Sequence, residues 1–382
     1  DFCLTSKGKS LSSSIETWHN KSKDKAVIDY GFHLQIVEMN EEILNELSEV
    51  IDSEGITSFK VFMAYKHQFQ ADDETLFKTL VAAKELGALV MVHAENGDVI
   101  DYLVKKALEE GNTDPIYHAL TRPPEVEGEA TGRAATLTGL ANSQLYVVHV
   151  SCAEAAEKIA QARNKGIDIW GETCPQYLVL DQTYLEKPDF EGAKYVWSPP
   201  LREKWNQDVL WNALKTGQLQ TIGSDQCSFD FAGQKDLGKG DFSKIPNGGP
   251  LIEDRVSILF SEGVKKGKIS LNQFVDVTST RAAKLFGLYP KKGTIAVGAD
   301  ADIVIFDPEV ERIISAKTHH MAVDYNPFEG MKVTGEPVSV LSRGEFVIRD
   351  KAFVGKPGAG QYIKRAKYGK DFESSAQSEV LI

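Results

Sequence analysis

Four ionisable residues stand at comparable points of four apolar segments of this 382-residue chain. They are Lys60, His93, His149 and Asp225, and each follows a short run of residues of the kind that fills a protein core. Burying an ionisable group costs several kcal/mol unless it is paired or bound to a metal. Four such residues in equivalent settings therefore predict one shared polar site.

Each residue taken alone also has a purely structural interpretation. A histidine at a strand end is commonly a hydrogen-bonded core residue, a strand lysine can extend its ammonium to solvent, and an aspartate after Gly-Ser can cap a turn. The coincidence of four favours the shared site. The other histidines fit loops, helices or surface positions, and we do not expect them to be ligands: His19, His33, His67, His118, His319 and His320.

The residue types favour metal chemistry over other catalytic schemes. Imidazole nitrogen and carboxylate oxygen bind zinc at roughly 2.0–2.2 Å. An ammonium cannot bind a cation, but a buried lysine of lowered pKa can react as the neutral amine with carbon dioxide to give a carbamate able to bridge two metals. The sequence contains no H-E-x-x-H, no G-x-S-x-G, no Walker A loop and no G-x-G-x-x-G opening a helix.

Alternation of short β-branched runs with amphipathic stretches predicts repeated βα units that would position these residues. Functional side chains of such a barrel project from the carboxyl ends of its strands. We predict an α/β fold, a TIM-like (β/α)8 barrel whose first strand is missing from this chain. The predicted strands are 26–36, 58–65, 89–95, 145–151, 168–173 and 219–225, with a fragment at 1–4, and the predicted helices include 73–86, 97–110, 153–165 and 203–216.

The pattern changes after a helical stretch near 271–287. Period-two segments at 293–298, 301–306, 338–341 and 345–348 predict a smaller, β-rich second domain. We therefore assign residues 1–287 to the barrel, 288–355 to a small β-sandwich domain and 356–382 to a C-terminal extension. Its last residues, 370–382, are polar and without periodicity, which predicts a flexible tail or an arm that orders only against a partner.

Composition restricts the partners. A formal net charge of -12 argues against nucleic acid, whose binding depends on clustered Lys and Arg. No run of about 18 apolar residues and no signal-peptide pattern occur, so we expect no membrane association and a cytoplasmic protein. The four cysteines are scattered and form no C-x-x-C pair, which fits a reducing compartment.

The sequence resembles the cyclic amidohydrolases, and specifically bacterial D-hydantoinases and dihydropyrimidinases, over essentially its whole length. Long motifs in a fixed order make this resemblance specific. They are Asp1-Phe2-Cys3-Leu4-Thr5, Phe59-Lys60-Val61-Phe62-Met63-Ala64-Tyr65, Val92-His93-Ala94-Glu95-Asn96, Trp170-Gly171-Glu172-Thr173-Cys174-Pro175-Gln176-Tyr177, Trp197-Ser198-Pro199-Pro200-Leu201-Arg202, Gly223-Ser224-Asp225 and Pro246-Asn247-Gly248-Gly249.

The resemblance implies a metal assignment. Lys60 would be N6-carboxylated and bridge two Zn²⁺ ions, with Mn²⁺ or Co²⁺ as alternatives. His93 and His149 would bind the second metal and Asp225 the first. A hydroxide would bridge the two ions and attack the substrate, with Asp225 carrying its proton. The resemblance also implies a homo-oligomer, namely a tetramer.

The resemblance further implies the substrate site. Tyr65 would contact the substrate and stabilise the oxyanion, while Ser198 and Asn247 would hold the cyclic amide through backbone groups. Phe62 and Phe69 would line the pocket. The expected reaction is hydrolysis of a small cyclic ureide, a hydantoin or dihydropyrimidine, to an N-carbamoyl amino acid.

One departure concerns the first metal. The family carries a His-x-His pair on its first strand, and no H-x-H occurs in this chain, which begins just after the expected position. We expect the pair to be cut off rather than replaced. Two alternatives to a hydantoinase stay open: a dihydroorotase or allantoinase with the same metal site, and a non-catalytic scaffold relative, against which the four retained residues weigh.

Overall fold

Parallel strands in chain order form the larger sheet of the computed structural model, which describes residues 1–369. Each strand pairs with the next one along the chain, so the sheet order is β1-β2-β3-β4-β5-β6-β7. Within the described residues β7 and β1 do not pair, and the sheet is open there. The strands are β1 (Phe2–Cys3), β2 (His33–Gln35), β3 (Ser58–Phe62), β4 (Leu89–His93), β5 (Gln144–Val147), β6 (Asp168–Thr173) and β7 (Thr221–Ile222).

Helices connect these strands and cover the sheet. Two of the later helices continue as π-helical turns, α10 into Phe260–Val264 and α11 into Asp276–Thr280. The α-helices are α1 (Leu11–Ser22), α2 (Glu41–Glu54), α3 (Asp73–Leu86), α4 (Gly97–Glu109), α5 (Ile116–Leu120), α6 (Pro124–Ala141), α7 (Ala153–Asn164), α8 (Pro175–Val179), α9 (Trp205–Lys215), α10 (Arg255–Leu259), α11 (Leu271–Val275) and α12 (Arg281–Leu285).

Helix α3 shows how local sequence sets these elements. The Asp72 side chain accepts a hydrogen bond from the Thr75 backbone N–H at 2.8 Å, which caps the start of the helix. Gly87 ends it in the left-handed conformation with φ of 72°. Leu76 and Leu80 lie buried on one face, as the periodicity predicted, and they fix the helix against the sheet.

The core lies between the helices and the strands. All five residues of β4 are buried, and β3 is buried except at its last residue, Phe62. Strands covered on both faces read as continuous apolar runs, which explains why Lys60 and His93 stand out in the sequence. The site residues therefore sit in segments whose neighbours hold the backbone rigidly.

Most predicted barrel strands extend beyond the observed ones, and two predicted segments show the physical reason most clearly. Residues 26–36 form a strand only at His33–Gln35, because Tyr30 pairs instead with Gln361 and Ile363 through backbone hydrogen bonds of 3.0 and 2.9 Å. Residues 293–298 form turns, since Gly293 and Gly298 have φ of 82° and 92°. In both places a long-range partner or a turn overrides the local pattern.

The second sheet is antiparallel, in the order β11-β10-β9-β8. Its strands are β8 (Ile303–Ile313), β9 (Lys332–Ser342), β10 (Glu345–Arg349) and β11 (Ala352–Phe353), so the predicted 301–306, 338–341 and 345–348 segments are strands longer than expected. The proposed division of the chain at residues 287 and 355 stays a prediction.

Residues after 355 run back along the amino ends of the barrel strands. The Arg365 backbone N–H donates to Gly55 O at 3.1 Å, and the Tyr368 N–H donates to Gly87 O at 2.8 Å. Arg365 is buried, and its guanidinium donates to Phe32 O and to Ser58 Oγ. The predicted flexible tail, residues 370–382, lies outside the described residues. Among residues 1–369, no helix is long and apolar enough to cross a membrane.

Candidate metal centre and active site

Lys60 is the central residue of β3 and lies between Gln35 of β2 and Met91 of β4. Its side chain is buried, and within residues 1–369 its ammonium makes no hydrogen bond and no ion pair. Burial lowers the pKa of Lys60, while the negative charges of Asp225 and Glu172 act in the opposite direction. This lysine is therefore a buried amine without a direct counter-ion.

His93 and His149 bring two imidazole nitrogens together. His93 ends β4, His149 follows β5, and His93 Nδ1 lies 3.0 Å from His149 Nε2. Burial lowers the pKa of both rings well below the usual value, so both stay neutral at ordinary pH. Neutral imidazole is the form that binds metals, and the converging nitrogens could hold one ion.

Glu95 fixes the orientation of His93. Its Oε2 lies 2.7 Å from His93 Nε2, and both side chains are buried. A carboxylate accepts a hydrogen bond there, so Nε2 carries the hydrogen and Nδ1 presents its lone pair toward His149. Metal-bound histidines are commonly held by such a carboxylate. Glu95 was not predicted from the sequence, although an acidic residue two positions after His93 in the predicted strand 89–95 was a usable signal.

Asp225 follows β7 and faces the same region. Burial raises the pKa of Asp225, whereas the nearby Lys60 charge lowers it. Glu172, which the sequence analysis did not single out, accepts hydrogen bonds from Tyr146 Oη at 2.8 Å and from the His149 N–H at 3.3 Å. A Cβ at Gly223 would lie 2.5 Å from the carboxyl carbon of Glu172, so a larger residue there would displace this carboxylate.

Three predicted site residues have left-handed backbone conformations. Tyr65, His149 and Asp225 have φ of 66°, 42° and 51°. Non-glycine residues adopt this region at a cost of about 1–3 kcal/mol, and such strain clusters at functional sites. The three conformations occur two or three residues after the ends of β3, β5 and β7, where the chain turns away from the sheet.

Aromatic residues line the approach to His93. The Tyr65 ring centroid lies 5.1 Å from that of His93 and 6.1 Å from that of Phe69, and Phe62 lies 5.7 Å from both His93 and Phe69. Burial raises the pKa of Tyr65 well above its usual value, so its hydroxyl keeps the proton. The cluster offers an apolar wall with one hydrogen-bond donor.

Ser198 and Asn247 come together from distant parts of the chain. Asn247 Nδ2 donates to Ser198 Oγ at 3.3 Å, and His118 Nε2 lies 3.3 Å from the same oxygen and 2.9 Å from Trp197 O. Arg122 donates to His118 Nδ1 at 3.1 Å, which leaves the His118 proton on Nε2. His118 thus contacts Ser198 from a buried position, and its sequence context gave no signal of this.

The donor set fits a metal centre. Two neutral imidazoles converge at 3.0 Å, and the charges of Asp225 and Lys60 act on each other nearby. Among residues 1–369, the buried Lys60 amine has no contacting counter-ion and the buried His149 Nδ1 has no hydrogen-bond partner. Asp29, Asp300 and Asp302 also form a tight acidic group. That group already holds the Lys292 ammonium, at 2.6, 2.9 and 2.5 Å, so we do not count it as a metal site.

Comparison with known proteins identifies the class. Residues 20–347 match the family described as Amidohydrolase family. A match over most of the described chain means that this chain belongs to that family.

Curated relatives narrow the assignment. The chain is 82% identical over 369 residues to a D-hydantoinase of Geobacillus stearothermophilus, covering 97% of this chain and 78% of the relative. It is 45% identical over 372 residues to a dihydropyrimidinase of Rattus norvegicus, covering 97% of this chain and 72% of that protein. Within the family, the chain therefore falls in the group of hydantoinases and dihydropyrimidinases.

Solved structures support the fold. A crystal structure of a D-hydantoinase matches with a TM-score of 0.96 and 80% identity, covering 97% of this chain and 80% of that one. A dihydropyrimidinase from Brevibacillus agri matches with a TM-score of 0.96 and 73% identity, over 97% of this chain and 80% of that one. The predicted TIM-like barrel with a separate antiparallel sheet is confirmed.

Proposed function

We propose that this protein hydrolyses the cyclic amide bond of hydantoins or dihydropyrimidines to give N-carbamoyl amino acids, using two bound divalent metal ions. The observation that carries the proposal is the convergence of His93 Nδ1 and His149 Nε2 at 3.0 Å near the buried Lys60, which has no contacting counter-ion among residues 1–369. The similarity to D-hydantoinases and dihydropyrimidinases supplies the substrate class.

The proposed metal ligands are Lys60, His93, His149 and Asp225. Bound metal ions would supply a hydroxide nucleophile near neutral pH, since coordination lowers the pKa of water from 15.7 to about 7. Zinc suits imidazole and carboxylate ligands, with Mn²⁺ or Co²⁺ as alternatives. His93 and His149 are prepared for this role because burial keeps them neutral and Glu95 orients His93.

Lys60 takes part as a carbamate in this proposal. Its neutral amine attacks carbon dioxide, a C–N bond forms, and one proton leaves to solvent. The product is an anion with two oxygens at the end of a long side chain. The support is structural: within the described residues the buried Lys60 has no anionic partner in contact, which a group carrying a permanent positive charge would need.

The chain's own residues then bind the substrate and move the proton. Tyr65 keeps its hydroxyl proton and can donate it to the carbonyl oxygen that becomes negative during attack. Asp225 accepts the proton of the attacking water and returns it to the leaving nitrogen. The backbone around Ser198 and Asn247 hydrogen-bonds the ring amide, and Phe62 with Phe69 provides the apolar wall.

Two alternatives make different predictions. A dihydroorotase or allantoinase would share the metal ligands but would prefer a substrate carrying a different polar group. A non-catalytic scaffold would not turn over any cyclic ureide. One similar structure is an inactive dihydroorotase-like domain, but at 15% identity it shows the fold alone.

A substrate panel tests the proposal directly. The protein, expressed from its full reading frame, is assayed with hydantoin, dihydrouracil, dihydroorotate and allantoin after reconstitution with zinc, and metal content is measured in parallel. We expect turnover of hydantoin or dihydrouracil, two zinc equivalents per chain, and loss of activity with a chelator that zinc restores. A metal-replete protein that hydrolyses only dihydroorotate or allantoin, or none of the four, would reject it.

We also propose a cytoplasmic homotetramer. The free cysteines of residues 1–369 and the acidic charge support a cytoplasmic location. Exposed apolar side chains on β8 and β10, among them Val304, Ile305 and Phe346, support contact with other subunits.

A further inference from the structure

Lys235 is a fully buried lysine that takes no part in the proposed mechanism. It begins a short 3-10 helix, Lys235–Gly238, and its relative exposure is 0%. Its Nζ donates to Val196 O at 2.9 Å and to Pro246 O at 2.9 Å. Among the described residues it forms no ion pair, so both of its contacts go to backbone carbonyls.

The two carbonyls belong to the two segments that carry the proposed substrate contacts. Val196 stands two residues before Ser198, and Pro246 directly precedes Asn247. The segments also meet through Asn247 Nδ2 and Ser198 Oγ at 3.3 Å, and through the Gly248 N–H and Val196 O at 3.0 Å. One amino group thus joins the backbones of chain segments about fifty residues apart in sequence.

We propose that Lys235 is a positioning residue that sets the spacing of the Ser198 and Asn247 backbones and thereby the affinity for the cyclic amide. This inference rests on the proposed function, because it assigns those two segments to substrate binding. Lys235 itself does not touch the reacting atoms.

The chemistry of the amino group suits this task. Two N–H donors are enough for the two carbonyls, so the contacts persist whether the group is an ammonium or a neutral amine. Burial lowers the pKa of Lys235 to about 7, which makes the neutral form accessible without loss of either hydrogen bond. A lysine in a loop can span two segments that no regular strand pairing connects.

Removing the donors should separate binding from chemistry. The substitution Lys235→Met keeps the length and apolar stem but leaves the Pro246 carbonyl without the Lys235 donor. We expect KM to rise on the order of tenfold, equivalent to about 1.4 kcal/mol of binding shared by ground and transition states, with kcat changed less than about twofold. Steady-state kinetics on hydantoin or dihydrouracil measures both constants.

Arg365→Met provides the matched control. Arg365 is also a buried cation that donates to a backbone carbonyl, that of Phe32. This contact lies at the amino ends of the barrel strands, because Phe32 directly precedes β2. The Arg365→Met substitution should lower the midpoint of thermal unfolding and leave KM unchanged. If Lys235→Met does the same, Lys235 has only a structural role and the proposal is wrong.

A second variant tests the same proposal if Lys235→Met folds poorly. Lys235→Gln replaces the amine with an amide that also has two N–H donors, on a shorter side chain. The amide should therefore reach only one of the two carbonyls and give an intermediate KM. An unchanged KM, a fall confined to kcat, or failure of both variants to fold would overturn the proposal. An inactive wild-type protein would overturn the proposed function as well, whereas an active wild type with unaltered KM in Lys235→Met rejects this inference alone.

Discussion

Two buried lysines, Lys60 and Lys292, have opposite surroundings. The Lys292 ammonium lies 2.6, 2.9 and 2.5 Å from carboxylate oxygens of Asp29, Asp300 and Asp302. Lys60 is the central residue of β3 and, within residues 1–369, has aromatic rings rather than carboxylates next to its amine. Both lysines are buried, so the difference lies in whether contacting carboxylates offset the cost of burying the positive charge.

The contrast distinguishes a buried charge that stabilises the fold from a buried group that is kept for binding a metal. A buried charge is tolerated when its partners supply the energy lost on leaving water, as around Lys292. Within residues 1–369, no carboxylate contacts the Lys60 amine, and the charges of Asp225 and Glu172 offset the cost of its burial only from a distance. The lone pairs of His93 and His149 likewise face each other rather than a cation. The structure keeps these groups where they raise the energy of the metal-free protein, which is expected where a bound ion completes the site.

The largest expected effect comes from Lys60→Met. The variant cannot form the carbamate, so we expect metal content to fall and kcat/KM to drop by ~10³-fold or more, because the metal centre supplies several kcal/mol of transition-state stabilisation. Metal analysis and kinetics measure both. In the metal-free state the variant should be at least as stable as wild type. The substitution replaces a buried amine that no carboxylate contacts among residues 1–369 with an apolar side chain.

Lys78→Met is the control for this change. Lys78 lies on the exposed face of α3, where it pairs with Glu74, and its loss should alter neither metal content nor activity. If the Lys60→Met protein still binds two metals and hydrolyses substrate, Lys60 is not a metal ligand. The proposed difference in role between Lys60 and Lys292 would then be wrong.

Lys292→Met should act on stability. Removing the ammonium leaves three acidic groups close together, and we expect the free energy of unfolding to fall by about 2–4 kcal/mol, a range discounted because Asp302 is partly exposed. Thermal and denaturant unfolding measure the change. Metal content and KM should stay unchanged; a loss of metal instead would mean that this acidic group belongs to the functional site.

The sequence predicted the residues whose position depends on local pattern. Lys60, His93, His149 and Asp225 could be found because each is an ionisable residue in or just after an apolar strand segment, and because parallel strands present their carboxyl ends on one side. The left-handed turn at Asp225 is an equally local consequence of the chain leaving the sheet there, whereas the glycine at 223 answers to the distant Glu172 carboxylate.

Residues that depend on the tertiary path could not be predicted. His118 reaches Trp197 across 79 residues, and Lys235 joins Val196 to Pro246 from a short helix in a loop. Nothing in the neighbouring sequence marks either one. The same reason explains the shortened strand at residues 26–36, where Tyr30 pairs with the C-terminal segment instead of the barrel.

Glu95→Gln gives the smallest expected effect and the sharpest test of the comparison. The substituted amide would keep the shape of the side chain but lose the negative charge that holds the proton on His93 Nε2 at 2.7 Å. We expect metal affinity to fall by about 10–100-fold, measured by competition with a chelator, with little change in stability. Glu129→Gln, at an exposed carboxylate, should leave affinity unaltered. If Glu95→Gln lowers stability and not affinity, the Glu95–His93 contact belongs with the Lys292 cluster, because its charge then serves folding rather than the metal.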